Sequence, residues 1–299
     1  MQHRSSEIAG SRVRIVYAVE LNYEVAASTD FIFNIHAACT PQQSVMGESF
    51  ITTPTVPVRV EEDQLLGNRL GRLHAEPGPL VVRYAATVDV SHYMTEPSLL
   101  FAVPPGELPT TVLRYLRPSR YCQSDRVSSL AWQQFGQLAP GYEQAQAVCL
   151  WVRDRTRFQP GTSGVNTSAL DTLDSCVGVC RDFAHAAISL LRALNYPARI
   201  VTGVDYGADP GLGPPDFHCY LDVFLGDRWY LFDPTGISPL TGLIRIATGR
   251  DAADVSFATM FGQVRGTMPK LCFDAVEDVA DGVLLPYPTT LAVSTASLL

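Results

Sequence analysis

The chain has 299 residues, 46% hydrophobic and 17% charged, with a formal net charge of −8, a length suited to two domains or one large one. An acidic balance without a basic run excludes a phosphate-tracking nucleic-acid binder, and no run of about 18 apolar residues offers a membrane span. The polar start, Met1 to Glu7, lacks the apolar stretch of a secretory signal, so a cytoplasmic location is expected.

The first hundred residues read as strands. Val13 to Glu20 alternates apolar with polar, and Phe31–Ile35, Ser49–Val60 and Leu80–Val90 are rich in β-branched and aromatic residues. Pro41, Pro54, Pro57, Gly67-Asn68 and Pro77-Gly78-Pro79 punctuate them, as in an antiparallel sandwich. Pro104-Pro105-Gly106 marks the expected boundary between a β-rich unit, residues 1–105, and a second unit, residues 106–299.

Beyond it the period becomes helical. One helix is expected from Ser124-Asp125 to about Leu138, and a second from Tyr142 to Thr156. Ser168 with Asp171 has the form of a helix cap. From Cys180 to Leu194, Phe183, Ala187, Leu190, Leu191 and Leu194 recur at helical spacing, and Asn195 and Pro197 end the run. Strands follow at Ala198–Val204, Phe217–Leu225 and Trp229–Asp233, the last two joined by the hairpin signal Gly226-Asp227. The class is therefore α+β, a buried helix feeding an antiparallel sheet. The tail after about Val279 shows no clear pattern beyond an apolar character suited to a strap.

Seven scattered cysteines, an odd count, argue against a disulfide framework and for reduced thiols. Cys180 differs from the others by its place. It opens a helix just after Gly178-Val179, where unpaired N–H groups favour a thiolate and can stabilise an oxyanion. A two-residue turn at Gly226-Asp227 sets a register in which His218 lies opposite Thr235. Asp233 is then a diagonal neighbour on the same face, roughly 7–8 Å away backbone to backbone. A four-residue loop keeps that parity, whereas a three-residue loop separates the pair. A carboxylate that orients an imidazole beside a thiol is the arrangement of nucleophilic acyl transfer. Cys219 alternates to the other strand face and reads as core. His185, about 140° round the helix from Cys180, points elsewhere. Arg181 and Asp182 read as anchors of the helix start, and Trp132 and Trp151 as packing residues. The Gly- and Pro-rich loop Tyr206–Asp216 leads into His218 and can be read either as a gate for substrate or as a plain connection. A zinc site built from Cys176, Cys180, His218 and Cys219 is disfavoured by cysteine spacing and by the facing of Cys219.

Three segments together resemble the bacterial transglutaminase-like family of the papain-like cysteine-enzyme superfamily. They are Gly178-Val179-Cys180-Arg181-Asp182-Phe183-Ala184-His185, Asp216-Phe217-His218, and Trp229 to Thr235, with Ser168-Ala169-Leu170-Asp171 as lead-in. The β-rich first hundred residues resemble the N-terminal domain that often precedes this core. The resemblance implies Cys180 as nucleophile, His218 as general base then acid, and Asp233 as its orienter. It implies a papain-like core after a sandwich-like domain, and a peptide or protein substrate joined through a thioester. Cys219-Tyr220 departs from the small or aromatic pair common after the histidine. No alternating-acid calcium loop is present, and neither a metal nor another cofactor is expected. The expected chemistry is hydrolysis of an amide bond, with transamidation as a variant and a catalytically silent scaffold as the alternative. Neither nucleic acid nor membrane is an expected partner, and the oligomeric state is not indicated.

Overall fold

A computed structural model of the protein describes residues 8–209, 211 and 215–296. Met1–Glu7 and, in the glycine-rich loop, Gly213 and Pro214 lie outside the described residues.

The first hundred residues form β1 (Ile8–Val25), β2 (Thr29–Phe33), β3 (Gln43–Thr53), β4 (Arg59–Glu62), β5 (Arg69–Ala75) and β6 (Gly78–Thr95). β1 and β6 pair antiparallel along nearly their whole lengths, from Ile8 opposite Met94 to Val25 opposite Gly78. Val13, Ile15, Tyr17, Val19 and Leu21 all turn into the core, the period-2 pattern of a half-buried strand. A second sheet, built around β2 and β5, packs on this face, with Tyr23 against Phe31 and Phe33 at 5.4 and 6.0 Å. Ser49–Val60 is not one strand: β3 stops before Pro54, and β4 starts beyond Pro57, since proline lacks the N–H a ladder needs.

The second half contains α1 (Ser128–Phe135), α2 (Tyr142–Arg155), β7 (Arg157–Phe158), α3 (Ala169–Ser175), β8 (Val177–Gly178) and α4 (Cys180–Ala193). It continues with β9 (Ala198–Asp205), β10 (Phe217–Leu225), β11 (Arg228–Phe232) and β12 (Leu243–Gly249). The helix expected from Ser124 instead opens as a 3-10 turn over Ser124–Arg126, and α1 begins only after Val127. The last four strands form one antiparallel sheet in the order β11-β10-β9-β12. α4 lies against β9 and β10, and every residue from Asp182 to Arg192 is buried. Asn195 takes the left-handed conformation that stops this helix (φ 69°).

The chain then returns to its beginning through β13 (Ala258–Phe261), β14 (Val264–Gly266), β15 (Lys270–Val276), β16 (Val283–Leu284) and β17 (Ala292–Ser294). β14, β15 and β16 pair with β1, β17 with β6, and β13 with β2. Residues 258–294 thus complete both sheets of the first half.

Two side-chain amides join the halves. Gln43 donates to the Arg245 carbonyl (2.7 Å) and accepts from the Arg245 N–H (2.9 Å). Asn68 does the same with Thr248, at 2.9 and 2.8 Å. Each amide imitates a strand neighbour and satisfies the free edge of β12.

Candidate active site

The site is assembled at the start of α4. α3 ends with Cys176 in the left-handed region (φ 56°), and the chain runs through β8, which pairs parallel with β7, straight into Cys180. Asp182 fixes this entry. Its buried carboxylate accepts from the Val179 N–H at 2.9 Å and from the Ser163 hydroxyl at 2.8 Å, and it lies beside the helix's positive end. Arg181 reaches across to Ser163 and to the Gly164 carbonyl, so both residues anchor the helix start. Gly178 has a specific reason to be glycine: a Cβ there would stand 2.7 Å from the Asp182 Cβ.

Cys180 is half-buried. Its thiol is coupled electrostatically to the His218 ring and to Cys219. The hairpin has the two-residue turn, with Leu225 opposite Arg228 and Leu221 opposite Phe232. β11 ends at Phe232, and Asp233 turns its side chain back toward β10. One Asp233 oxygen accepts from His218 Nε2 at 3.0 Å. The other accepts from the Thr235 N–H and hydroxyl at 2.9 and 2.7 Å. Both carboxylate oxygens are therefore committed, and the ring is held by Nε2. Nδ1 is the nitrogen left to face the sulfur.

The electrostatics follow from this geometry. The side chains of His218 and Asp233 are only 1% and 2% exposed. Burial opposes charge on His218, but Asp233 and Cys180 together hold its pKa well above the usual imidazole value. Burial likewise opposes charge on Asp233, and His218 and Thr235 keep it below the usual carboxylate range. Cys180 lies well below the ordinary thiol value, through hydrogen bonding from Cys219 and then, against burial, from His218. Cys219 is pushed up and stays a thiol. These directions favour a thiolate beside an imidazolium.

Cys219 lies next in the chain to His218. It is buried within the hydrophobic core, as the strand alternation indicates, and its thiol is also coupled electrostatically to Cys180. Because β11 stops at Phe232, the first residues of β10, Phe217 to Tyr220, have no partner on that edge. The signal in the sequence was the proline after Asp233, which shortens β11 relative to β10.

Other candidates lie apart. Cys176 turns its thiol toward the Leu173 carbonyl. His185 is buried, stacks on Tyr121 and accepts the Ala252 N–H at 3.1 Å. Trp132 is half-exposed and donates to the Ala193 carbonyl at the far end of α4, while Trp151 packs edge-on against Phe135. Among the described residues, no group of three or more His, Cys, Asp or Glu is arranged to hold a metal ion, and no helix is long and apolar enough to cross a membrane.

Residues 128–234 match the transglutaminase-like superfamily, and residues 14–111 match the bacterial transglutaminase N-terminal domain. The chain is 34% identical to the crystal structure of "a Putative Cysteine Protease from Cytophaga hutchinsonii", covering 96% of this chain and 99% of that one with a TM-score of 0.89. The chain belongs to the transglutaminase-like superfamily. Its transglutaminase-like core is preceded by the β-rich domain that the second match describes. An uncharacterized protein of Mycobacterium leprae is 35% identical over 127 residues, 40% of this chain and 45% of that protein. An uncharacterized protein of Mycobacterium tuberculosis is 27% identical over 162 residues, 50% of this chain and 51% of that protein. The matches thus span about half the length of these curated relatives.

Proposed function

We propose that this transglutaminase-like protein is a thiol-dependent acyl-transfer enzyme that cleaves a peptide or amide bond through a thioester on Cys180. The observation that carries the reading is the buried His218 ring, held by Asp233 at 3.0 Å through Nε2 and coupled electrostatically to Cys180. The Cys180 thiolate attacks the substrate carbonyl, and the oxyanion forms beside the Cys180 N–H at the positive end of α4. His218 gives its proton to the departing amine. The neutral ring then takes a proton from water, which attacks the thioester and frees the acid. Asp233 holds the ring and stabilises its cation in both halves.

Hydrolysis is favoured over transfer to an amine because water needs no acceptor site of its own. The substrate is a peptide or protein segment able to present a carbonyl at the helix start. Seven free thiols suit a reducing compartment, the cytoplasm. Along the chain, the division near residue 105 separates a β-rich unit from the unit that bears the triad, with residues 258–294 counted with the former.

Iodoacetamide labelling across pH, read by peptide mass, tests the activation. Cys180 is expected to react first and already below neutral pH; uniform labelling of the exposed thiols, rising only near pH 8–9, would overturn it. A panel of peptide amides tests the chemistry, with turnover lost in Cys180→Ala. If labelling is fast but partner binding alone survives in both proteins, the molecule is a scaffold.

A further inference from the structure

One buried carboxylate in the four-stranded sheet serves two guanidinium groups. Asp222 of β10 lies directly across from Arg199 of β9, and its Oδ2 accepts from Arg199 Nε at 2.9 Å. Arg245 of β12 brings both terminal nitrogens to the same carboxylate, Nη1 to Oδ2 at 2.9 Å and Nη2 to Oδ1 at 3.1 Å. Among the described residues, neither arginine has a second acid within ion-pair distance. The cluster therefore carries one uncompensated positive charge, although the side chains of Arg245 and Arg199 are only 3% and 14% exposed. A buried charge is costly unless an opposite charge reaches it.

Both arginines line one cavity of about 270 Å³. It lies between residues 38–40 and 62–68 of the β-rich unit and strands β9, β11 and β12, and junctions between units are common places for small-molecule sites. We infer that this cavity binds the carboxylate of a small organic acid, whose charge balances the excess on Arg199 and Arg245.

The donors that remain are specific. Arg245 turns its terminal nitrogens to Asp222 and Thr295, and its Nε is buried with no partner. Arg199 commits Nε and Nη2 to Asp222 and leaves Nη1 without a hydrogen bond among the described residues. Its guanidinium lies over the Trp229 ring, 4.2 Å from the centroid, which fixes the plane in which its free donor points. Planar guanidinium donors match a planar carboxylate. Ala38, Leu66, Ala247 and Trp229 add apolar surface to the lining, suited to a short hydrocarbon body, and the volume holds only a small molecule. Glu62, the one acid among the lining residues, is exposed and in no ion pair among the described residues. Its charge opposes an incoming anion. A purely structural ion cluster would need no ligand, so saturable binding separates the two roles.

The experiment is calorimetric titration of the full chain with sodium butyrate in a low-chloride buffer at neutral pH, beside butanamide and inorganic phosphate. One saturable site for butyrate is expected, with no binding of butanamide, which has the same shape without the charge. Arg199→Gln leaves Asp222 paired with Arg245 and is expected to weaken butyrate by about tenfold or more. Glu62→Gln changes an exposed side chain and is expected to tighten butyrate by about twofold to fivefold. Each variant is checked for native circular dichroism. The inference is overturned if butyrate shows no saturable binding, if butanamide binds as well, or if Arg199→Gln binds as tightly as wild type. Equal or weaker binding in Glu62→Gln places the ligand outside this cavity and overturns it too. Phosphate binding more tightly than butyrate overturns the choice of a carboxylate. Neither turnover nor thiol labelling enters this titration, so its failure leaves the reading of Cys180 standing.

Discussion

Two buried imidazoles, His218 and His185, sit near opposite ends of the same chemical choice. Both are almost wholly removed from solvent, at 1% and 0% exposure, and each has an aspartate nearby. Asp233 gives an oxygen to His218 directly. Asp251 spends its oxygens on the N–H groups of Tyr121 and Ala253, at 2.9 and 3.0 Å. His185 is left stacked on Tyr121 and accepting a main-chain N–H, and burial lowers its pKa to about 3. His218, equally buried, is raised instead. Proximity of a carboxylate does not decide whether a buried histidine carries charge; a free oxygen aimed at the ring does.

The sharpest way to break this contrast is Asp233→Asn. The amide keeps the shape but not the charge, so turnover is expected to fall by about 10²–10⁴. The alkylation profile of Cys180 should shift to higher pH as the imidazolium loses its support. An unchanged profile would mean that the thiolate owes nothing to the dyad.

His185 predicts the pH dependence of the fold. Its folded pKa of about 3 lies below the ordinary imidazole value of 6.5, so its contribution is complete above pH 6.5. It is lost as pH falls from 6.5 toward 3, at up to about 1.4 kcal/mol per unit. His218 has the opposite sign: its contribution is present below 6.5 and fades as pH rises through its raised folded value. Denaturant melts at pH 7 and pH 4 test this. In His185→Gln, which keeps an acceptor for Ala252, the acid arm is expected to flatten while Cys180 labelling stays as in wild type. An acid arm as steep as before would place the lability elsewhere.

The smallest effect concerns the frame. Gly178→Ala forces a Cβ against Asp182 and is expected to cost about 1–3 kcal/mol by overpacking, read as a lower denaturation midpoint.

The sequence made the Cys180-bearing half legible because its signals are local. A helical period, a left-handed Asn195 and a two-residue turn were enough to set the register that brings Asp233 near His218. The same rules failed where information is distant. Both faces of β10 are buried, so alternation could place Cys219 away from His218 but could not say what lay beyond the strand's edge. β15 lies about 250 residues from its partner β1, and none of its side chains is fully buried. Leu271, Phe273 and Ala275 alternate half-buried against the core, but so short an alternation could not name β1 as its partner. Leu243–Gly249 is buried throughout, and its continuous burial gives no period to read.

The return of residues 258–294 to the sheets begun by the first hundred makes the intervening stretch an insert on two stems rather than a bead on one string. Removing those residues would not liberate a self-standing enzyme. It would strip β1 of its neighbour from Arg14 to Glu20 and leave a long naked edge, the kind of surface on which chains aggregate. Shortened versions of this protein are therefore expected to fail by clumping before any question of catalysis arises.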